Sequence, residues 1–201
     1  MVLSHFELED VPDYLAQFPV LKGKAQLGRG EFSVVFEGEC PNTVLKLTAD
    51  ETTVNLLLLG RVKGCDGIVE FVEYHGFMDS TEHPKGVHLI ELKRLQTVDP
   101  CDHRTLYYER ESIIATIRHR ILESDRFEGI LPAQERHAGA LQELALSNLF
   151  SQSISKALEW IANFMRASTL DLLHDLCNPA NYMTDGHRLI ITDPIVTVPA
   201  D

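Results

Sequence analysis

The spacing of apolar residues changes about half-way along the chain. In the first half they form short runs separated by turn residues, which predicts strands over Leu21–Leu47, Ile68–Tyr74 and Val87–Leu92. Between the first two, Asp50–Val62 predicts a helix, with Asp50 as its N-cap and a leucine cluster at its centre. The preceding segment, Phe6–Phe18, is typical of a short helix or an extended lead-in.

In the second half, apolar residues recur at helical spacing. Three helices are predicted, over Leu106–Leu122, Leu141–Phe150 and Ile154–Met165. A turn-rich segment, Asp171–Asn181, and a short terminal hairpin around Arg188–Ile191 follow. Strands followed by helices favour an α+β protein of two lobes over alternating βαβ units. We therefore predict a lead-in over residues 1–20, a strand-rich lobe over 21–95 and a helix-rich lobe over 96–201.

Composition narrows the classes of partner. The 201 residues include 18 Lys and Arg against 30 Asp and Glu, a formal net charge of −12, which argues against a nucleic-acid partner. The start of the chain has no pattern of a secretory signal, and no apolar run is long enough to span a membrane. Four scattered cysteines favour a reduced, cytoplasmic protein. A zinc site from Cys101 and His103 has no second ligand pair to complete it.

A glycine-rich segment is the first candidate for chemistry. Gly28 and Gly30 lie two residues apart and are followed, after Ser33, by the strand-like run Val34–Phe36. Glycines let a turn approach phosphate groups closely, so that backbone N–H groups can bind them. Because a strand follows rather than a helix, the segment differs from the dinucleotide-binding fingerprint. A simple β-turn is the alternative interpretation.

A lysine inside an apolar strand is the second candidate. Lys46 lies between Leu45 and Leu47, where an ammonium is costly to bury unless it meets an anion. The alternative is an edge strand from which the side chain reaches water. Together with the glycine segment, Lys46 favours a phosphate-binding role.

A cluster of Asp and Asn residues near the end of the sequence is the third candidate. Asp175 and Asn181 lie in the turn-rich segment, and Asp193 follows the last predicted strand. Their side-chain oxygens are ligands that Mg²⁺ prefers, and one carboxylate can orient a substrate hydroxyl. Taken singly, all three are ordinary turn residues.

In this order the three candidates resemble the protein-kinase-like fold, in particular the early serine/threonine protein kinases of podovirus-type bacteriophages. The signature of that family is similar to G-x-G-x-F-S, V-I-K, D-x-H-x-x-N-I-M and I-T-D-P. The matching segments here are Gly28–Ser33, Val44–Lys46, Asn181–Met183 and Ile191–Pro194. The resemblance implies a minimal bilobal kinase-like fold, with a strand-rich N-lobe and a reduced helical C-lobe.

The resemblance also implies how ATP would bind. Gly28, Gly30 and the backbone as far as Ser33 would cover its phosphates. Lys46 would contact the α- and β-phosphates. The backbone from Glu91 to Lys93 would form the hinge that meets the adenine.

For catalysis, the resemblance implies a serine/threonine protein kinase that acts on proteins of a bacterial host or on other partner proteins. Asp175 would orient the acceptor hydroxyl and take its proton, while Asn181 and Asp193 would hold Mg²⁺. The γ-phosphoryl group of ATP would pass in line to the acceptor, with catalysis mainly from positioning and charge neutralisation.

Several departures from the family pattern keep alternatives open. Asp175 lies six residues before Asn181, one more than is usual, so Asp171 competes for the role of base. Cys177 replaces the histidine of the phage pattern. The Asp50–Val62 helix has no glutamate at the usual place to pair with Lys46.

These departures favour a catalytically dead pseudokinase that binds a protein. The Asp193–Pro194 pair instead favours a small-molecule phosphotransferase of the aminoglycoside-kinase type, a class with a larger second lobe. Only eight residues follow Asp193 in this sequence. We therefore expect the helices of the second lobe to come from residues 97–170, before the catalytic loop.

Overall fold

The chain forms two compact units. The first combines the residues up to Leu58 with Glu70–Arg94, and the second combines Leu59–Val69 with the residues from Leu95 onward. The computed structural model describes residues 14–80, 83, 85–127, 129 and 131–197, so most of the predicted lead-in lies outside the described residues. Within those ranges, no helix has both the length and the apolar character needed to cross a bilayer.

The first unit is built on a five-stranded antiparallel sheet. Its strands follow the order β1-β2-β3-β5-β4. Their bounds are Gln26–Arg29 for β1, Ser33–Glu37 for β2, Thr43–Thr48 for β3, Phe71–Met78 for β4 and Val87–Lys93 for β5. A short helix, α1 (Tyr14–Gln17), and a 3-10 turn at Pro19–Leu21 precede the sheet.

One face of this sheet forms the core of the unit. Alternate residues of each strand point to the same face, so the strands contribute every second side chain. The buried cluster on this face consists of Phe18, Leu21, Val34, Phe36, Leu45, Leu47, Val87 and Leu89. The position of β3 in the middle of the sheet places Lys46 in a central strand. The edge-strand interpretation of this lysine is therefore wrong.

A helix, α2 (Glu51–Lys63), follows β3. The predicted N-cap is confirmed, because Asp50 Oδ1 accepts hydrogen bonds from the backbone N–H groups of Thr52 and Thr53, at 3.0 and 3.1 Å. The predicted strand Ile68–Tyr74 begins later than expected, since β4 starts at Phe71 and continues to Met78. Ile68 instead forms an isolated parallel bridge with Ile191 in the second unit.

The second unit contains three long helices. They are α3 (Arg104–Ser124), α4 (Ala133–Leu146) and α5 (Gln152–Ala167). The apolar stripe predicted for α5 is buried, as are residues of α3 and α4 that face the same core: Ile113, Ile117, Leu141, Leu144, Ile154, Leu158, Ile161 and Met165. The predicted α+β class, with a strand-rich first part and a helical second part, is confirmed.

Five short strands complete the second unit. Their bounds are Gln96–Thr97 for β6, Leu172–His174 for β7, Tyr182–Thr184 for β8, Leu189–Ile191 for β9 and Ile195–Thr197 for β10. They form a three-stranded sheet of order β6-β8-β9 and a separate β7–β10 pair. The β8–β9 hairpin was predicted, whereas β7 lies in the segment Asp171–Asn181, which was predicted to be turn-rich.

Candidate functional site

In the first unit, a tight turn joins β1 to β2 at the glycine-rich segment. The N–H of Gly30 donates to the carbonyl of Ser33 at 2.8 Å and closes the turn. The carbonyl of Phe32 accepts from the N–H of Ala49 at 3.0 Å and from the Thr48 hydroxyl at 3.1 Å. The tip of the turn is thereby tied to the end of β3.

The two glycines are not required by backbone conformation. Neither has a positive φ, and a Cβ added at Gly28 would meet no atom within 4 Å. A Cβ at Gly30 would lie 3.3 Å from the Ser33 hydroxyl. At Gly28 the absent side chain leaves open space beside the strand, which is what a phosphate group approaching the backbone requires. Among the described residues, the N–H groups of Glu31 and Phe32 make no hydrogen bond, so both are available to an anion.

Lys46 lies in β3 with only 6 % of its surface exposed. It pairs with Val35 of β2 on one side and with Ile90 of β5 on the other, so its side chain projects from the face opposite the apolar core. Burial of an ammonium in a central strand requires anionic or polar groups nearby. The first turn of α2, which follows β3, carries the only acidic residue of that helix, Glu51.

The two residues predicted at the hinge have different surroundings. Glu91 is buried inside β5 between Leu45 of β3 and Glu73 of β4, so neighbouring strands flank its backbone on both sides. Lys93 ends the strand, and its N–H donates to the carbonyl of Glu70 at 2.9 Å. The chain then passes from the first unit to the second between residues 94 and 95.

In the second unit, backbone pairing brings Asp175 beside the segment that contains Asp193. Antiparallel pairing of β7 with β10 sets His174 opposite Ile195. The N–H of Asp175 then donates to the carbonyl of Pro194 at 2.8 Å. Asp171 lies at the other end of β7 and is exposed. A three-residue strand separates the two aspartates, a span of about 10 Å or more.

Asn181 joins the same group. Its side-chain N–H₂ donates to Asp175 Oδ2 at 2.7 Å and to the Asp175 carbonyl at 2.8 Å. Its own carbonyl accepts from the N–H of Thr192 at 2.9 Å, next to Asp193. The structure therefore brings together Asp175, Asn181 and the backbone beside Asp193, although the Asp175–Asn181 spacing departs from the family pattern.

A turn between Asp175 and Asn181 explains how the longer spacing is accommodated. A 3-10 turn covers Pro179–Asn181, and Asn178 caps it by accepting from the N–H of Ala180 at 3.1 Å. The Asn178 side chain also donates to Asp175 Oδ2 at 3.3 Å. Within the described part of the chain, Asp175 Oδ1 has no hydrogen-bond partner. That oxygen is therefore left as a hydrogen-bond acceptor.

Two residues to which the sequence analysis gave no role support this loop: Tyr182, which is buried, and His174, whose ring is largely buried. The hydroxyl of Tyr182 donates to the carbonyl of Leu176 at 2.9 Å, and burial raises the pKa of this phenol. The Nδ1 atom of His174 accepts from the N–H of Leu176 at 3.2 Å. The His174 ring lies 5.1 Å from that of His137, centroid to centroid. Burial, with the nearby His137, lowers the pKa of His174 to about 4, so its ring is neutral at pH 7. Tyr182 immediately follows the matched Asn181, which was the available signal for its importance.

The donors present fit a hard divalent cation such as Mg²⁺. Since the amide nitrogen of Asn181 is bound to Asp175, its Oδ1 is left as an acceptor. The carboxylate of Asp193 supplies further oxygens on the adjoining segment, which the Thr192 hydrogen bond holds against Asn181. Mg²⁺ is commonly bound by one or two such side chains together with water and substrate phosphates.

Comparison with protein-family models gives no match, and comparison with curated proteins gives none either. Among solved structures, the chain is similar to a GDP complex of a mutant aminoglycoside 2'-phosphotransferase IIIa. The two chains share 16 % sequence identity with a TM-score of 0.41, and the match covers 94 % of this chain and 71 % of that one. It is also similar to a thermostable mutant of aminoglycoside phosphotransferase APH(4)-Ia bound to AMP-PNP and hygromycin B. Here the sequence identity is 14 % and the TM-score 0.39, and the match covers 92 % of this chain and 71 % of that one. At this level of similarity, the fold class rests on the strand order and helices described above.

Proposed function

We propose that the chain is an ATP- and Mg²⁺-dependent phosphotransferase that uses Asp175, Asn181 and Asp193. The observation that carries the proposal is the pair of hydrogen bonds from the Asn181 side chain to Asp175, at 2.7 and 2.8 Å. With the Thr192 bond to Asn181, these contacts connect the proposed base to the segment of the proposed metal ligands. A phosphoryl transfer site needs this combination of an orienting carboxylate and metal-binding oxygens.

The first unit supplies the proposed phosphate-binding groups. The unbonded N–H groups at the tip of the β1–β2 turn and the open space at Gly28 suit phosphate oxygens. The ammonium of Lys46 would neutralise charge on the α- and β-phosphates. The hinge role of Glu91 and Lys93 stays a prediction. Their backbones face neighbouring strands, and the N–H of Arg94 donates to the carbonyl of Asn42 at 2.7 Å, so Leu95 is better placed to offer free backbone groups to adenine.

In the proposed reaction, the bond from the γ-phosphorus to its bridging oxygen breaks as the acceptor oxygen attacks in line. Asp175 Oδ1 accepts the hydroxyl proton of the acceptor. When bound, Mg²⁺ would neutralise charge on the phosphates, held by Asn181 Oδ1 and Asp193. The acceptor we propose is a serine or threonine hydroxyl of a protein, because the sequence motifs resemble the phage protein kinases.

Two alternatives make different predictions for the same assay. A small-molecule phosphotransferase, suggested by the Asp193–Pro194 pair, would label a low-mass hydroxyl compound rather than a protein. A pseudokinase would bind nucleotide or a protein partner without transfer. It is favoured by the absence of any acidic residue in α2 after Glu51.

The test is incubation of the purified chain with γ-labelled ATP, Mg²⁺ and a bacterial lysate, followed by separation of labelled proteins from labelled small molecules. We expect label in proteins with the wild type and its loss with Asp193→Asn and Lys46→Met. Label confined to small molecules would replace the proposed acceptor class. Label absent from both fractions would refute transfer, and a thermal shift with ATP would then indicate a pseudokinase.

The chain offers matched controls for two of the assignments. Asp175→Asn should abolish transfer, while Asp171→Asn, at the other end of β7, should retain it. The reverse result would move the base to Asp171. Gly28→Ala adds a methyl group in open space without backbone strain, so its unfolding midpoint should match the wild type. Weaker ATP binding by this variant would therefore report on the phosphate site rather than on folding.

A further inference from the structure

The first unit contains a second group of candidate ligands, on the edge strand β4 and the adjoining β5. The side chains of Glu73, His75 and Glu91 each offer one ligand atom, and these atoms lie within 4.8 Å of one another. The Nε2 atom of His75 lies 3.5 Å from Glu91 Oε2. None of these side chains has a role in the proposed phosphoryl transfer.

The Glu91 side chain is buried next to the His75 ring. This side chain is only 5 % exposed, and within the described residues the His75 ring is its sole polar contact. No hydrogen bond forms across this contact, and His75 Nε2 is fully buried without a hydrogen-bond partner among the described residues. A carboxylate on a side chain that is almost entirely buried thus lies beside an imidazole nitrogen that is withdrawn from water and has no hydrogen-bond partner.

Strand pairing adds a second carboxylate to this pair. Glu73 of β4 lies directly opposite Glu91 of β5 in the antiparallel ladder. Like charges in opposed positions destabilise a sheet, because their Cβ atoms are only about 5 Å apart. A cation between the two carboxylates removes this repulsion.

A local irregularity of β4 orients the histidine. The register shifts between Tyr74 and Gly76, which leaves His75 without a partner in the ladder. Gly76 has a φ of +115°, a conformation that favours glycine. Bulges of this kind redirect a side chain. Here the result is an imidazole directed at the buried Glu91.

We propose that Glu73, His75 and Glu91 form a binding site for a divalent first-row transition-metal ion, with Zn²⁺ as the representative. One imidazole and two carboxylates are a mixed nitrogen and oxygen set, which suits Zn²⁺ or Co²⁺ better than Mg²⁺ or Ca²⁺. A tetrahedral ion about 2.1 Å from each donor requires donor atoms about 3–4 Å apart. The exposed Glu73 side chain can rotate to close the remaining distance.

The test is titration of the full chain, stripped of metal and free of nucleotide, with Zn²⁺ by calorimetry. Exposed thiols, among them Cys40 and Cys101, are alkylated beforehand, because thiolates also bind Zn²⁺. We expect one ion per chain and a higher melting temperature with Zn²⁺ present. Affinity should fall by at least about tenfold in Glu73→Gln and in His75→Ala.

Two control variants distinguish binding at this site from binding at a surface histidine or at the proposed Mg²⁺ site. His119→Ala removes a histidine from an exposed pair with Glu123, and Asp193→Asn alters the proposed Mg²⁺ site. Both should bind Zn²⁺ as the wild type does. Because Glu73 is exposed, Glu73→Gln leaves the fold intact, which circular dichroism would verify. No Zn²⁺ binding by the wild type, or undiminished binding by His75→Ala, would overturn the proposal.

Discussion

His174 makes the stability of the second unit depend on pH. Its ring is largely buried next to His137, and its pKa is lowered from 6.5 to about 4, chiefly by burial. As the pH falls, the His174 ring of the unfolded chain therefore takes up its proton at a higher pH than the same ring in the folded chain. The contribution of this residue to stability is complete above about pH 6.5 and is lost as the pH falls toward about 4.

The size of the effect follows from the lowered pKa. Each pKa unit corresponds to about 1.4 kcal/mol, so the complete loss is about 3 kcal/mol, and about 2 kcal/mol of it falls between about pH 7 and pH 5. The neighbouring groups contribute with opposite signs. Protonated His137 disfavours the charged ring of His174, and the carboxylate of Asp125, 3.7 Å from His137 Nε2, favours it.

The variant His174→Asn isolates this residue. An asparagine Oδ1 can accept the N–H of Leu176 in place of His174 Nδ1, so the loop bond is kept while the titrating ring is lost. Urea unfolding of both proteins at a series of pH values gives two stability curves. The gap between them should change by about 2 kcal/mol from about pH 7 to pH 5, with the wild type losing more.

His119→Asn is the matched control, because that ring is exposed. Its stability curve should run parallel to that of the wild type. A constant difference between wild type and His174→Asn across the pH range would refute the reasoning. It would mean that the folded chain protonates His174 as readily as the unfolded chain does.

Two further substitutions test the packing that supports the candidate site. Tyr182→Phe leaves the Leu176 carbonyl without its buried hydrogen-bond donor, so it should destabilise the chain by about 1–3 kcal/mol in urea unfolding. An unchanged unfolding midpoint would contradict this role of Tyr182. Gly67→Ala places a Cβ against the backbone carbonyl of Ser153 and should cost about 1–3 kcal/mol by the same measurement. Gly139→Ala, within α4 and in ordinary contact distance of its surroundings, is the control and should be neutral or stabilising.

The pattern of large apolar residues predicted helix α5 well and helix α4 poorly. The α5 stripe was evident because its buried side chains are mostly large. The predicted helix Leu141–Phe150 instead spans Ala133–Leu146. Its first half buries small residues, including Ala138, which an apolar pattern does not reveal. Its end is set by Ser147 and by Asn148, whose φ of +57° stops the helix, so Leu149 is exposed although it is apolar.

The candidate site could be predicted as a set of residues but not as a geometry. Sequence spacing left Asp171 and Asp175 as rival bases, because both lie near Asn181. The choice depends on β7, a three-residue strand whose pairing with β10 is a long-range contact. Periodicity in so short a segment carries little information. Likewise, the Glu73–His75–Glu91 group depends on cross-strand register and a bulge, neither of which the sequence analysis predicted.

The hydrogen bonds around Asp175 bear on the kind of catalysis proposed for this loop. Asn178 and Asn181 both donate to Oδ2 and prevent the carboxylate from rotating, so the direction of Oδ1 is set before substrate binds. Phosphoryl transfer passes through a loose transition state in which correct alignment contributes more than proton removal. The extra residue before Asn181 is therefore compatible with the proposed transfer, provided that the 3-10 turn at Pro179–Asn181 restores the contact. In this loop, it does so at 2.7 Å.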